Sequence, residues 1–145
     1  MMKRYIIFLI LVLASFVTLL LLGSYQHYVA GLLEEVFWLG EKTMPMLYWI
    51  PYTFIAVSGM FLGGAAFVKG QNKKEELVLA VMSLILAIAV LAFTVLVMKM
   101  FLRLPSSFIS ARSWSDGGAR PSMVLAGVLF ANAARHFIEA KKYNE

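Results

Sequence analysis

The residues able to do chemistry are few, and they lie outside the apolar stretches. Cysteine is absent and there are two histidines, His27 and His136. Disulfides, iron–sulfur clusters and cysteine zinc sites are therefore excluded. His27 stands near Glu34, Glu35 and Glu41. That acidic cluster has the ligand types for a cation, although carboxylates on an amphipathic helix are more often simply solvated. A second group, Lys99, Arg103, Arg112, Trp114 and Arg120, forms a basic loop with one large aromatic ring. Such a loop suits lipid phosphates or an acidic partner. Arg135, Lys141 and Lys142 make a similar patch near the C-terminus. No HExxH, GxSxG, P-loop or dinucleotide fingerprint occurs. The expectation is no catalytic set, no metal and no cofactor.

Behind these residues stands a composition that is 61% hydrophobic and 14% charged over 145 residues. A soluble domain is about 25% charged and could not hide so much apolar surface. One domain spanning 1–145 is the natural count. Tyr5 to Gly23 is uncharged and nearly all apolar, and a run of about 18 or more such residues reads as a spanning helix. It is longer than the apolar region of a signal peptide and lacks a small-residue cleavage site, so it is expected to stay uncleaved. Further spans are expected at about 49–68, 77–101 and 121–138. Pro51 falls in the first turn of the second, where its missing N–H does no harm. Between the first two spans, Val29, Leu32, Leu33, Val36 and Phe37 share one helical face, predicting a short interfacial helix over about 29–39. Tyr25, Tyr28, Trp38, Tyr48, Trp49 and Tyr52 crowd the same end, as an aromatic belt does.

The last span has an uncharged part of only about 14 residues, a length typical of a buried helix as much as of a span. Charge decides. With four spans and a cytoplasmic N-terminus, eight of the 13 basic residues lie inside (Lys3, Arg4, Lys69, Lys73, Lys74, Arg135, Lys141, Lys142). Lys42, Lys99, Arg103, Arg112 and Arg120 lie outside. With three spans the bias inverts, against the positive-inside rule. The fold class expected is an all-α polytopic membrane bundle of four helices, both termini cytoplasmic, in the cell membrane. In that topology His27 and His136 lie on opposite sides and cannot share a haem. The net charge of +5 then reports topology and not nucleic-acid binding.

The second span carries Ala56, Gly59, Gly63, Ala66 and Gly70 at spacings of three and four, and the third carries Ala80, Ser83, Ala87, Val90 and Thr94 in the same rhythm. Small residues let helices approach closely in lipid, where apolar contact alone drives little. The connecting turn is short, so the two stripes are expected to face each other. The fourth span repeats the theme with Gly127, Ala131 and Ala134, and the first has Ala14 and Thr18. The first span otherwise reads as facing lipid or another subunit. Spans one to three hold no ionisable side chain between Tyr5 and Gly23, Trp49 and Val68, or Leu77 and Met98, which argues against a proton-driven pump. The function expected is a non-enzymatic membrane protein, an accessory subunit or homo-oligomer whose partners are lipids and other membrane helices. The alternatives are a small channel lined by Thr53, Ser83 and Thr94, and a lipid-binding protein or enzyme working through its external loops.

Overall fold

A computed structural model describes residues 2–35, 49–98 and 119–143, all built from helix apart from one turn. Helix α1 is Met2–Glu35, α2 is Ile50–Phe67, α3 is Lys73–Met98 and α4 is Ala119–Lys142. Each is long and apolar enough to cross a membrane.

Local chemistry accounts for the boundaries. Pro51 opens α2, and the chain leaves the helix at Val68, which is extended, its N–H donating to Ala65 O at 3.1 Å. Asn72 caps α3 by accepting the Glu75 N–H at 2.9 Å. Glu75 and Glu76 occupy the first turn of α3, and Lys141 and Lys142 the last turn of α4, the charge placement that the helix dipole favours.

Helix α1 departs from expectation by running without a break to Glu35. Residues 29–35 of the anticipated interfacial helix are its continuation, and residues 36–39 lie outside the described residues. The reason is that no proline interrupts 24–35, and its polar residues are all ones a helix tolerates. At 1.5 Å per residue, 34 residues span about 51 Å against about 30 Å of hydrocarbon. A helix entering the bilayer at Arg4 therefore emerges near Ser24, and its last turns lie beyond. Helix α3 begins four residues before the expected span, because the capping Asn72 draws Lys73–Glu76 into its first turn.

The helices associate as two antiparallel pairs, α1 with α2 and α3 with α4. In the first pair Arg4 meets Lys69, Ser15 meets Ser58, and Tyr25 meets Phe54. In the second Glu76 meets His136, Ser83 meets Asn132, and Val97 packs with Ala119. The N-terminus of α1, the α2–α3 turn and the C-terminal half of α4 thus gather at one end. A core of Phe8, Val12, Leu19, Leu22, Ala65, Leu79, Ala87, Leu125 and Leu129 joins the pairs. Phe16 meets Phe93 edge to face at 5.2 Å and 87°, a geometry worth about 1 kcal/mol beyond burial. Helix α1 is therefore a core element on one side, while Ile6, Ile10, Leu13, Val17 and Leu21 remain exposed.

The expected pairing of α2 with α3 is not what forms. Those helices make at most marginal contact despite their short connection. Helix α3 buries its stripe, with Ala80, Ser83, Ala87, Val90 and Thr94 all inside, but its neighbour is α4. Helix α2 buries Pro51, Ser58 and Ala65, and leaves Ala56 and Gly59 exposed and Gly63 half-buried. On α4, Gly127, Ala131 and Ala134 are exposed too, and the buried face is Ser122, Leu125, Ala126, Leu129, Asn132, Ala133 and His136. Polar partners explain both rotations. Ser58 shares a hydrogen bond of 2.8 Å with Ser15, and each hydroxyl also reaches the other's carbonyl, at 3.0 and 3.1 Å. Asn132 donates to Ser83 Oγ at 3.1 Å.

Candidate functional site

The densest chemistry in the described residues is a knot of charged groups where the α2–α3 turn meets α1 and α4. Glu75 and Glu76 are each only 3% exposed, and His136 is fully buried. Glu76 accepts the Gly70 N–H at 2.8 Å through Oε1 and pairs with His136 Nδ1 through Oε2. Glu75 accepts the Gln71 N–H at 2.8 Å and lies 3.7 Å from Arg4. Arg4 also donates to Lys69 O at 3.2 Å. Arg135 donates to the carbonyls of Ala66 and Val68, the latter at 3.3 Å, and its Nη2 lies 3.2 Å from His136 Nε2.

Donor chemistry orders this network. An arginine can only donate, so His136 Nε2 must accept from Arg135. The ring therefore carries its proton on Nδ1 and gives it to Glu76. A doubly protonated ring would set one N–H against another. Arg4 then faces Glu75, and Arg135 and Glu76 bond to opposite nitrogens of one neutral imidazole, so each buried charged group has hydrogen-bond partners, as burial demands. The carboxylates take N–H groups of the turn before α3, and Arg135 takes carbonyls at the end of α2, groups that a helix leaves unpaired. The α2–α3 turn is thereby tied to α4. Gly70 is required at its place, since a Cβ there would sit 2.7 Å from Glu76 N and 2.9 Å from Glu75 Cβ. The reading of Gly70 as a member of the α2 stripe is corrected accordingly: it lies past the end of α2, pressed against the first turn of α3.

The knot was only partly legible beforehand. The sequence groups Arg135 with Lys141 and Lys142 in a basic patch, and in the structure Arg135 and His136 are held inside the network. Glu75 and Glu76 read in the sequence as charges of the short polar turn KGQNKKEE. The signal available was Asn72 followed three residues later by Glu75, the spacing of a capping box, two residues after a glycine. The chemistry here is electrostatic and structural. Among the described residues no three His, Cys, Asp or Glu side chains group to hold a metal.

The other anticipated sites are dispersed. His27 is half-buried on α1. Glu34 and Glu35 end that helix, and Glu41 lies outside the described residues. Lys99, Arg103, Arg112 and Trp114 also lie outside them. Arg120 is exposed at the start of α4. Of the hydroxyls considered for a channel, Ser83 and Thr94 are sealed in the α3–α4 contact, and Thr53 donates to Trp49 O at 2.9 Å within its own helix.

A groove of about 340 Å³ lies between α2 and α4, floored by Leu19 and walled by Ser58, Gly59 and Leu62 on one side and Pro121, Val124 and Leu125 on the other, with Arg120 at its end. Beyond their chain neighbours and their own helix backbone, Gly59 and Gly63 have no described atom within 4 Å of where a Cβ would stand. These glycines leave room that nothing in the described residues fills.

Fold and site together define an all-helical, multi-pass membrane bundle, with four helices among the described residues long and apolar enough to cross a membrane. Compared with known protein families, with curated proteins and with solved structures, the chain matches none.

Proposed function

We propose that this is a non-enzymatic multi-pass protein of the cell membrane, both termini cytoplasmic, that acts as a subunit by receiving another transmembrane helix against α2. The observation that carries the reading is the open face of Ala56, Gly59 and Gly63 beside the α2–α4 groove. Glycine inside a helix costs roughly 1 kcal/mol relative to alanine and exposes backbone. In lipid that cost is offset when a second helix uses the space, because association there depends on close approach and dispersion. The gathering of both chain ends at one end of the bundle agrees with the bias of basic residues. The knot holds the receiving face in place from below.

The absence of cysteine makes single-cysteine labelling clean. Gly59→Cys carrying a benzophenone maleimide is expected to give a discrete cross-linked adduct in native membranes. The same probe at Met60→Cys, which points away roughly 100° around the helix, is expected to give none. A self-adduct identifies a homo-oligomer and a larger one a second subunit. Equal labelling at both positions, or adducts at neither, defeats the proposal.

A further inference from the structure

At the opposite corner from that groove, a second cavity of about 380 Å³ opens between the start of α1 and the end of α2, lined by Arg4, Ile7, Phe67, Val68, Lys69 and Gly70. We propose that it is a binding site for one anionic phospholipid, its phosphate held by Arg4 and Lys69 and an acyl chain laid along Ile7 and Phe67.

Depth is the first argument. Arg4 immediately precedes the apolar run of α1 and Lys69 immediately follows that of α2, so both cations sit where hydrocarbon gives way to headgroups, with Ile7 and Phe67 on the hydrocarbon side. Preorganisation is the second. Arg4 is fixed through Nη1 to Lys69 O, which leaves the other N–H groups of its five-donor fork for a phosphate. Lys69 makes no ion pair among the described residues, and its ammonium is a compact, mobile cation suited to a second phosphate oxygen. Glu75, the acid nearest Arg4, is buried and does not line the cavity; it lies 3.7 Å from Arg4 Nη1, the nitrogen that also meets Lys69 O, so it offsets part of the Arg4 charge and Lys69 supplies a second cation. Charge complementarity is the third: exposed Lys3 and Lys74 flank this end and favour an anionic headgroup over a zwitterionic one. Phe67, 85% exposed, offers a large ring to a lipid chain and to nothing else in the bundle.

The test is native mass spectrometry of the full chain titrated with phosphatidylglycerol, with phosphatidylcholine, and with inorganic phosphate. One phosphatidylglycerol is expected to be retained in preference to phosphatidylcholine. Lys69→Gln is expected to weaken its retention about fivefold, the effect of one cation near an anionic headgroup, and Lys142→Gln to leave it unchanged. Phe67→Ala is expected to weaken phosphatidylglycerol retention without affecting inorganic phosphate. Equal retention of the two lipids, insensitivity to Lys69→Gln in a variant that melts like the parent, or phosphate displacing the lipid at equal concentration overturns the proposal.

Discussion

Helices α2 and α3 carry the same rhythm of small residues and put it to opposite uses. On α3, Ala80, Ser83, Ala87 and Thr94 are buried against α4. On α2, Ala56 and Gly59 face outward and Gly63 has open space beside it. A small-residue stripe therefore states where a close approach is possible without naming the partner. The polar side chains make that choice. On α3, Ser83 belongs to the stripe and bonds to Asn132, so the stripe and its polar contact point the same way. On α2, Ser58 stands one residue off the stripe and bonds to Ser15. One residue is roughly 100° of helix rotation, enough to bury Ser58 and turn Gly59 away.

Four substitutions can break or sharpen this contrast. The largest effect is expected from Glu76→Ala, which strips His136 and the Gly70 N–H of their partner. Each buried donor left without its acceptor costs about 1–3 kcal/mol, and equilibrium unfolding in mixed micelles should register a loss of roughly 2–6 kcal/mol for the two. A loss below about 1 kcal/mol, the scale of an exposed ion pair, would show that the knot does not hold α3 to α4. Next comes a matched pair. Ala87→Leu forces a large side chain into the buried stripe and is expected to cost about 1–3 kcal/mol. Gly63→Leu meets open space and is expected to change the stability of the isolated chain by less than about 0.5 kcal/mol while abolishing the cross-link at position 59. Equal losses in the two variants would erase the distinction between the stripes. The smallest loss expected in the buried α3–α4 contact is that of Asn132→Ala, which removes the donor to Ser83. Interhelical hydrogen bonds of this kind are worth about 0.6 kcal/mol and at most about 1.7, and a thermal melt resolving that difference checks it.

Much of the architecture was legible in the chain. Four helices follow from the length of the apolar runs, and Pro51 marks the start of α2 because its ring cannot enter a helix interior. The site was less legible. Glu75 and Glu76 look like loop charges beside Lys73 and Lys74 until Asn72 is seen to start α3 ahead of them. His136 looks interfacial until its partner, 60 residues away, is known. The interfacial helix was expected from an amphipathic face at 29–37, yet periodicity alone does not distinguish a new helix from the continuation of one already begun.

What the sequence determined by itself is everything that depends on neighbours along the chain: how many helices form, where proline and asparagine begin them, and which stretches avoid water. Only the tertiary structure decided which faces meet. The reason is physical. Lipid is as apolar as a leucine face, so burying an apolar stripe against a helix instead of lipid gains little, and many pairings of these four helices are close in energy. The choice rests on polar partners separated by 43, 49 and 60 residues, Ser15 with Ser58, Ser83 with Asn132 and Glu76 with His136. No local pattern announces such pairs, and they turn one small-residue stripe inward and leave its twin open.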